Sequence, residues 1–133
     1  MNKPSANIVV FACNWDGLSC IETAAQKGLR YPASVKVVSV SCLSRVHSGI
    51  MLKAFELGAD GVILLGCEPG NCNFEIDSAL IEREYEKTRS ILGLLGLRED
   101  KLVLTRLPRG DGSKFVKKVT DFITKIGQTQ PAL

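Results

Sequence analysis

The sequence predicts an α/β fold, a small doubly wound parallel sheet of about four strands with helices on both faces. Three features carry that expectation. β-Branched apolar runs alternate with stretches of helical spacing along the chain. The strand runs lack the polar alternation of a half-solvated sheet, so burial on both faces is expected. Gly and Pro punctuate the junctions between the two kinds of segment.

The elements follow in order. Asn7 to Phe11 (NIVVF) reads as the first strand. Ser19 to Leu29 has helical spacing and stops near Gly28 and Pro32. Val35 to Val40 (VKVVSV) is the second strand. Ser44 to Leu57 is an amphipathic helix with Val46, Ile50, Leu52 or Lys53, Ala54 and Leu57 roughly on one side and Gly58 closing it. Gly61 to Leu65 (GVILL) is the third strand. Ser78 to Leu95 is a long helix rich in Glu, Arg and Lys, with Leu80, Ile81, Tyr85, Thr88, Ile91, Leu92 and Leu95 as its stripe. Leu102 to Leu107 is the fourth strand. Gly112 to Ile126 is the last helix, with Phe115, Val116, Val119, Phe122, Ile123 and Ile126 at helical spacing and Asp111 or Ser113 as its cap. The tail GQTQPAL reads as loose. Right-handed crossovers turn this alternation into a flavodoxin-like sheet. Residues 1–133 read as a single domain, without internal repeat or low-complexity stretch.

The totals bound the function. A chain of 133 residues buries an adequate core without staples. Hydrophobic residues at 45% and charged residues at 23% are the balance of a soluble globular protein. Seventeen basic and fourteen acidic residues are well mixed, and no basic stripe is interleaved with aromatics, so a nucleic-acid partner is excluded. The apolar runs fall short of a membrane span. The opening MNKPSANIVVFAC runs into a strand pattern and not a cleavage site, so a cytoplasmic, soluble protein is expected.

The five cysteines matter most. An intracellular chain of this size needs no disulfides, and an odd number cannot all pair. Cys13 follows the first strand, Cys42 the second and Cys67 the third. Cys72 lies in the exit loop of the third strand, and Cys20 is expected in the first turn of the first helix. Parallel strands place these exits on one edge, where open α/β sheets bind ligands. Chance core packing of small apolar thiols would seldom give that map. Four converging thiolates can hold Zn²⁺ or an iron–sulfur cluster, and spacing does not choose between them. Gly66, Gly70 and Asn71 suit a loop whose backbone N–H groups point at sulfur. A thiol–disulfide relay through Cys67 and Cys72 is a third reading.

Other residues rank lower. His47, the one histidine, reads as a surface side chain ahead of a ligand or proton carrier. Asp16 and Glu68 read as solvated loop carboxylates ahead of ligands. Arg45 is either a counter-charge for an anionic site or a plain surface arginine. Trp15 reads as structural ahead of a water shield or docking contact. No Ser/His/Asp arrangement, phosphate-binding loop or dinucleotide fingerprint is present, so hydrolysis has little support.

CNW at 13–15, CLSRV at 42–46 and LKAFELGADGVILLGCEPGNCNF at 52–74 resemble the delta subunit family of the methyl-viologen-reducing hydrogenase. EREYEKTR at 82–89 and KFVKKVTDFITKI at 114–126 extend the resemblance over nearly the whole chain. That family's pattern runs C-N-W-C, then C-S-G-R-V, then G-A-D-G-V-x-x-x-G-C-x-P-G-x-C. The resemblance implies an electron-transfer subunit with a [2Fe-2S] cluster. It implies a hydrogenase or other dehydrogenase on one side and the flavin-containing subunit of a heterodisulfide-reductase-like complex on the other. Carried over position by position, the ligands are Cys13, Cys42, Cys67 and Cys72. The second cysteine of C-N-W-C is Asp16 here, and Cys20 stands four residues later. One helical turn is about 5 Å of rise, so Cys20 is within reach of the same space. The expectation is therefore a cluster held by four of Cys13, Cys20, Cys42, Cys67 and Cys72. The alternatives are a zinc-bound or metal-free adaptor, and a dithiol reductase using Cys67 and Cys72.

Overall fold

The computed structural model describes residues 7–29, 35–66, 78–108 and 110–129. Strands are β1 (Ile8–Cys13), β2 (Val35–Val40), β3 (Gly61–Gly66) and β4 (Leu102–Arg106). Helices are α1 (Asp16–Gln26), α2 (Ser48–Glu56), α3 (Ser78–Leu94) and α4 (Gly112–Thr129). Short 3₁₀ turns at Leu43–Arg45 and Glu99–Lys101 precede α2 and β4.

The strands form one parallel sheet in the order β2-β1-β3-β4. The expected doubly wound α/β architecture is therefore what the chain forms. Alternate residues of each strand feed opposite cores. Ile8, Val10 and Ala12 of β1 pack with Phe115, Val119 and Phe122 on the side of α1 and α4. Phe11 packs with Leu43, Met51, Leu64, Leu92 and Leu102 on the side of α2 and α3. At Gly112, a Cβ would stand 2.5 Å from the Ala24 amide nitrogen, so α4 starts against the backbone of α1.

Helix ends follow local chemistry. Gly58, at φ 108°, follows α2. Its amide bonds the Phe55 carbonyl, and the next amide, of Ala59, bonds back to Ala54. That double closure needs a left-handed residue, hence glycine. Asp111 Oδ1 accepts the Lys114 N–H at 3.1 Å and caps α4, as expected. The Ser48 N–H that opens α2 is taken by Glu84 Oε1 of α3 at 3.1 Å.

Several expectations shift. The helix expected from Ser44 starts at Ser48, because Leu43–Arg45 makes a separate turn. That phase buries Met51 completely and leaves Ile50 and Leu57 exposed. In α3, Leu92 and Thr88 are buried but Leu80 and Leu95 are exposed. The last helix runs on to Thr129, past the expected end at Ile126, since residues 127–129 contain no proline to stop it. β3 is buried throughout, whereas β2 is an edge strand with Lys36, Val38 and Ser39 exposed. A groove of about 650 Å³ lies along this edge beside α2, lined by Val38, His47, Ile50 and Lys53 among others. No helix among the described residues is long and apolar enough to cross a membrane.

Candidate functional site

The strand order reverses direction between β1 and β3, and the carboxyl ends of those strands are where open α/β sheets take ligands. Cys13 is the last residue of β1, 3% exposed, and pairs in register with Val40 at the end of β2. The next amide, of Asn14, bonds the Val40 carbonyl at 2.8 Å, and Ser39 Oγ donates to Asn14 Oδ1 at 2.6 Å. These bonds fix where the chain leaves β1.

The helix then begins at Asp16, three residues before the expected Ser19. The second helical residue, Gly17, donates its N–H to Cys13 Sγ at 3.1 Å. A Cβ on Gly17 would lie 2.6 Å from the Leu65 carbonyl oxygen and 3.3 Å from Cys13 Sγ. Only a residue without a side chain lets the helix start this deep between β1 and β3. The resulting cradle presents a bare amide to a sulfur, an arrangement that suits a metal-bound thiolate.

Cys42 sits two residues beyond β2, 4% exposed and extended. Its carbonyl accepts the Arg45 N–H at 3.0 Å. The adjoining Leu43 covers the end of β3: a Cβ on Gly66 would stand 2.5 Å from Leu43 Cδ1. Cys13 and Cys42 thus occupy neighbouring strand ends, and Cys67 is the residue after Gly66 in the chain. Cys67, Glu68, Pro69, Gly70, Asn71 and Cys72 lie outside the described residues.

Cys20 is placed differently. The early start of α1 puts it in the second turn, fully buried in the α1–α4 core. Its thiol donates to the Pro108 carbonyl at 3.2 Å. Ser19 Oγ, next to it, accepts the Gly110 N–H at 2.9 Å. Together they tie α1 to the loop between β4 and α4. No group of three His, Cys, Asp or Glu side chains among the described residues could hold a metal ion, so Cys13, Cys20 and Cys42 do not form one by themselves. The ligand set that the resemblance implies is Cys13 and Cys42 with Cys67 and Cys72. All four are soft sulfur ligands, a set that fits zinc or an iron–sulfur cluster.

His47 and Arg45 are exposed, and Trp15, which precedes α1, is 42% exposed. One residue escaped the sequence reading. Arg106 ends β4 in register with Gly66, its side chain 14% exposed, with Nη2 3.3 Å from Glu82 Oε1 on α3. The available signal was an arginine closing an otherwise uncharged strand run.

A family model described as methyl-viologen-reducing hydrogenase, delta subunit, matches residues 8–129. An iron-sulfur subunit of the F420-non-reducing hydrogenase of Archaeoglobus profundus is 33% identical over 125 residues, spanning 94% of this chain and 91% of the relative. The vhc iron-sulfur subunit of the F420-non-reducing hydrogenase of Methanococcus voltae is 32% identical over 124 residues, spanning 93% and 86%. A third similarity is of another kind. One polypeptide of the ferredoxin:CoB-CoM heterodisulfide reductase of Methanosarcina mazei is 24% identical over 124 residues, which is 93% of this chain but 16% of that longer relative. These findings agree with the resemblance carried by the cysteine motifs.

Proposed function

The chain belongs to the methyl-viologen-reducing hydrogenase delta subunit family, and from that footing we propose that it is an electron-transfer subunit carrying a [2Fe-2S] cluster. The cluster is held by Cys13, Cys42, Cys67 and Cys72, and Cys20 belongs to the core. The observation that carries this reading is the Gly17 amide on Cys13 Sγ, at the sheet edge where Cys42 also lies. A backbone N–H aimed at a ligand sulfur is a recurrent device for setting a cluster's potential.

Such a cluster supplies one-electron chemistry when bound. The protein's residues do the remainder. Gly17, Leu43 and the β1 and β3 strand ends hold ligands and exclude water. Electrons arrive from a hydrogenase or other dehydrogenase partner. They leave to the flavin subunit of a heterodisulfide-reductase-like complex, and no bond is made or broken on this chain. The similarity to a stretch of a heterodisulfide reductase polypeptide supports that second partner, because a segment like this chain is there continuous with the reductase. The proposed setting is cytoplasmic, and the relay asks for no catalytic site on this chain.

The test is iron and acid-labile sulfide analysis of protein purified without air, with EPR after reduction. The expected result is about two irons and two sulfides per chain and a rhombic reduced signal. Stoichiometric zinc without sulfide would point to the adaptor. A titratable disulfide with neither metal would point to a Cys67/Cys72 dithiol reductase. Either result sinks the proposal.

A further inference from the structure

We propose that Arg106 is a positioning residue for charge at this edge, favouring the reduced form of the cluster, with Glu82 opposing it. The inference rests on the cluster reading above and adds a residue to it.

Arg106 pairs in register with Gly66, the last residue of β3, and the following amide, of Leu107, bonds the Gly66 carbonyl at 3.3 Å. Cys67 comes next in the chain. Adjacent strands are about 4.8 Å apart, so the end of β4 lies within about 10 Å of the end of β1, where Cys13 sits. The Arg106 side chain is 14% exposed, against 25% for Arg98 and 32% for Arg89, the other arginines in described ion pairs. Burial weakens the screening of its charge by solvent.

The two members of this ion pair differ in their surroundings. Glu82 meets Arg106 through Nη2 at 3.3 Å, and the Glu82 side chain is 58% exposed. Water screens a carboxylate in that position. Arg106 brings a cation to an edge whose candidate ligands are thiolates. A [2Fe-2S] core with four thiolates carries about −2 when oxidised and one more negative charge when reduced. A fixed cation at this range favours the extra electron, and a nearby carboxylate disfavours it. The two side chains should then move the reduction potential in opposite directions, although each substitution breaks the same ion pair.

The experiment compares the full chain with Arg106→Gln, Arg106→Lys and Glu82→Gln. All are purified without air, analysed for iron and sulfide, and titrated redox-wise by EPR. Arg106→Gln should lower the reduced-to-oxidised ratio at the parent's midpoint about five- to tenfold, the size expected for removing one partly screened charge near the site. Arg106→Lys should restore most of it, and Glu82→Gln should raise the ratio. An unchanged midpoint in Arg106→Gln overturns the proposal. So do shifts of the same sign in Arg106→Gln and Glu82→Gln, which would mean that the ion pair acts only through structure. If Arg106→Gln fails to hold iron, Glu82→Gln decides: no upward shift overturns the proposal. A parent without iron and sulfide defeats the cluster reading itself and takes this inference with it.

Discussion

Cys13 and Cys20 stand on either side of the start of α1, and both are buried, at 3% and 0% exposure. Their sulfurs are held with opposite polarity. Cys13 Sγ accepts the Gly17 N–H, so the sulfur uses a lone pair and needs no proton there. Cys20 meets the Pro108 carbonyl, an acceptor only, so that bond requires the thiol proton. A metal ligand must give its proton up. Burial alone does not separate these two thiols, but the direction of the hydrogen bond does, and the proposed ligand set follows that division. The β1–α1 junction offers sulfur to the sheet edge, while the α1–α4 seam uses sulfur to hold a loop.

The largest expected effect tests that contrast directly. Cys13→Ser should abolish the reduced EPR signal and most of the bound iron. Cys20→Ser should keep both, because a hydroxyl can still donate to Pro108, and should cost about 1–2 kcal/mol for placing a more polar group in an apolar core. Iron analysis and urea unfolding read the two outcomes. The comparison breaks if Cys20→Ser loses its iron while its far-ultraviolet dichroism stays native.

The contrast also marks what the sequence could and could not reveal. All eight main elements are legible, because each β-branched apolar run and each helical stripe is long enough to stand out from its flanks. Cys13 and Cys42 are legible as strand-exit residues for the same reason. The burial of Cys20 is not. Which way it faces depends on where α1 starts, and that start depends on Gly17 fitting against the Leu65 carbonyl, a contact between distant segments. Met51 is missed likewise, because the turn at Leu43–Arg45 resets the phase of α2. The exposed face of β2 is hidden because an apolar run looks the same in an edge strand and a central one. Arg106 does not stand out in the sequence, because only register sets it beside Gly66 and only α3 supplies Glu82.

A middle-sized effect separates the two regions by their glycines. A Cβ on Gly17 would meet the Leu65 carbonyl oxygen at 2.6 Å, and one on Gly112 the Ala24 nitrogen at 2.5 Å. Both neighbours are backbone atoms, so each Ala substitution should cost about 1–3 kcal/mol through forced displacement. Only Gly17→Ala also disturbs an amide bonded to Cys13. It should shift the cluster's reduction potential, whereas Gly112→Ala should lower the unfolding midpoint and leave the potential at the parent value. Equal potential shifts in the two variants would mean that the seam and the junction are mechanically one unit.

The smallest effect probes the far end of the seam. Asp111 caps α4 through the Lys114 N–H and lies one residue beyond Gly110, whose amide Ser19 holds. Asp111→Ala removes the acceptor and should destabilise the protein by about 1 kcal/mol, a few degrees in Tm for a chain of this size. Asp111→Asn keeps an acceptor oxygen and should recover most of that loss, which assigns the effect to capping and not to charge. Neither variant should change iron content, because the loop they loosen is tied to Ser19 and Cys20 in the α1–α4 seam. Thermal unfolding of both, with iron measured on the same samples, decides the matter. Loss of iron in Asp111→Ala alone would show that the hold of Cys20 on Pro108 reaches the strand ends, and the division between the two sulfurs would have to be redrawn.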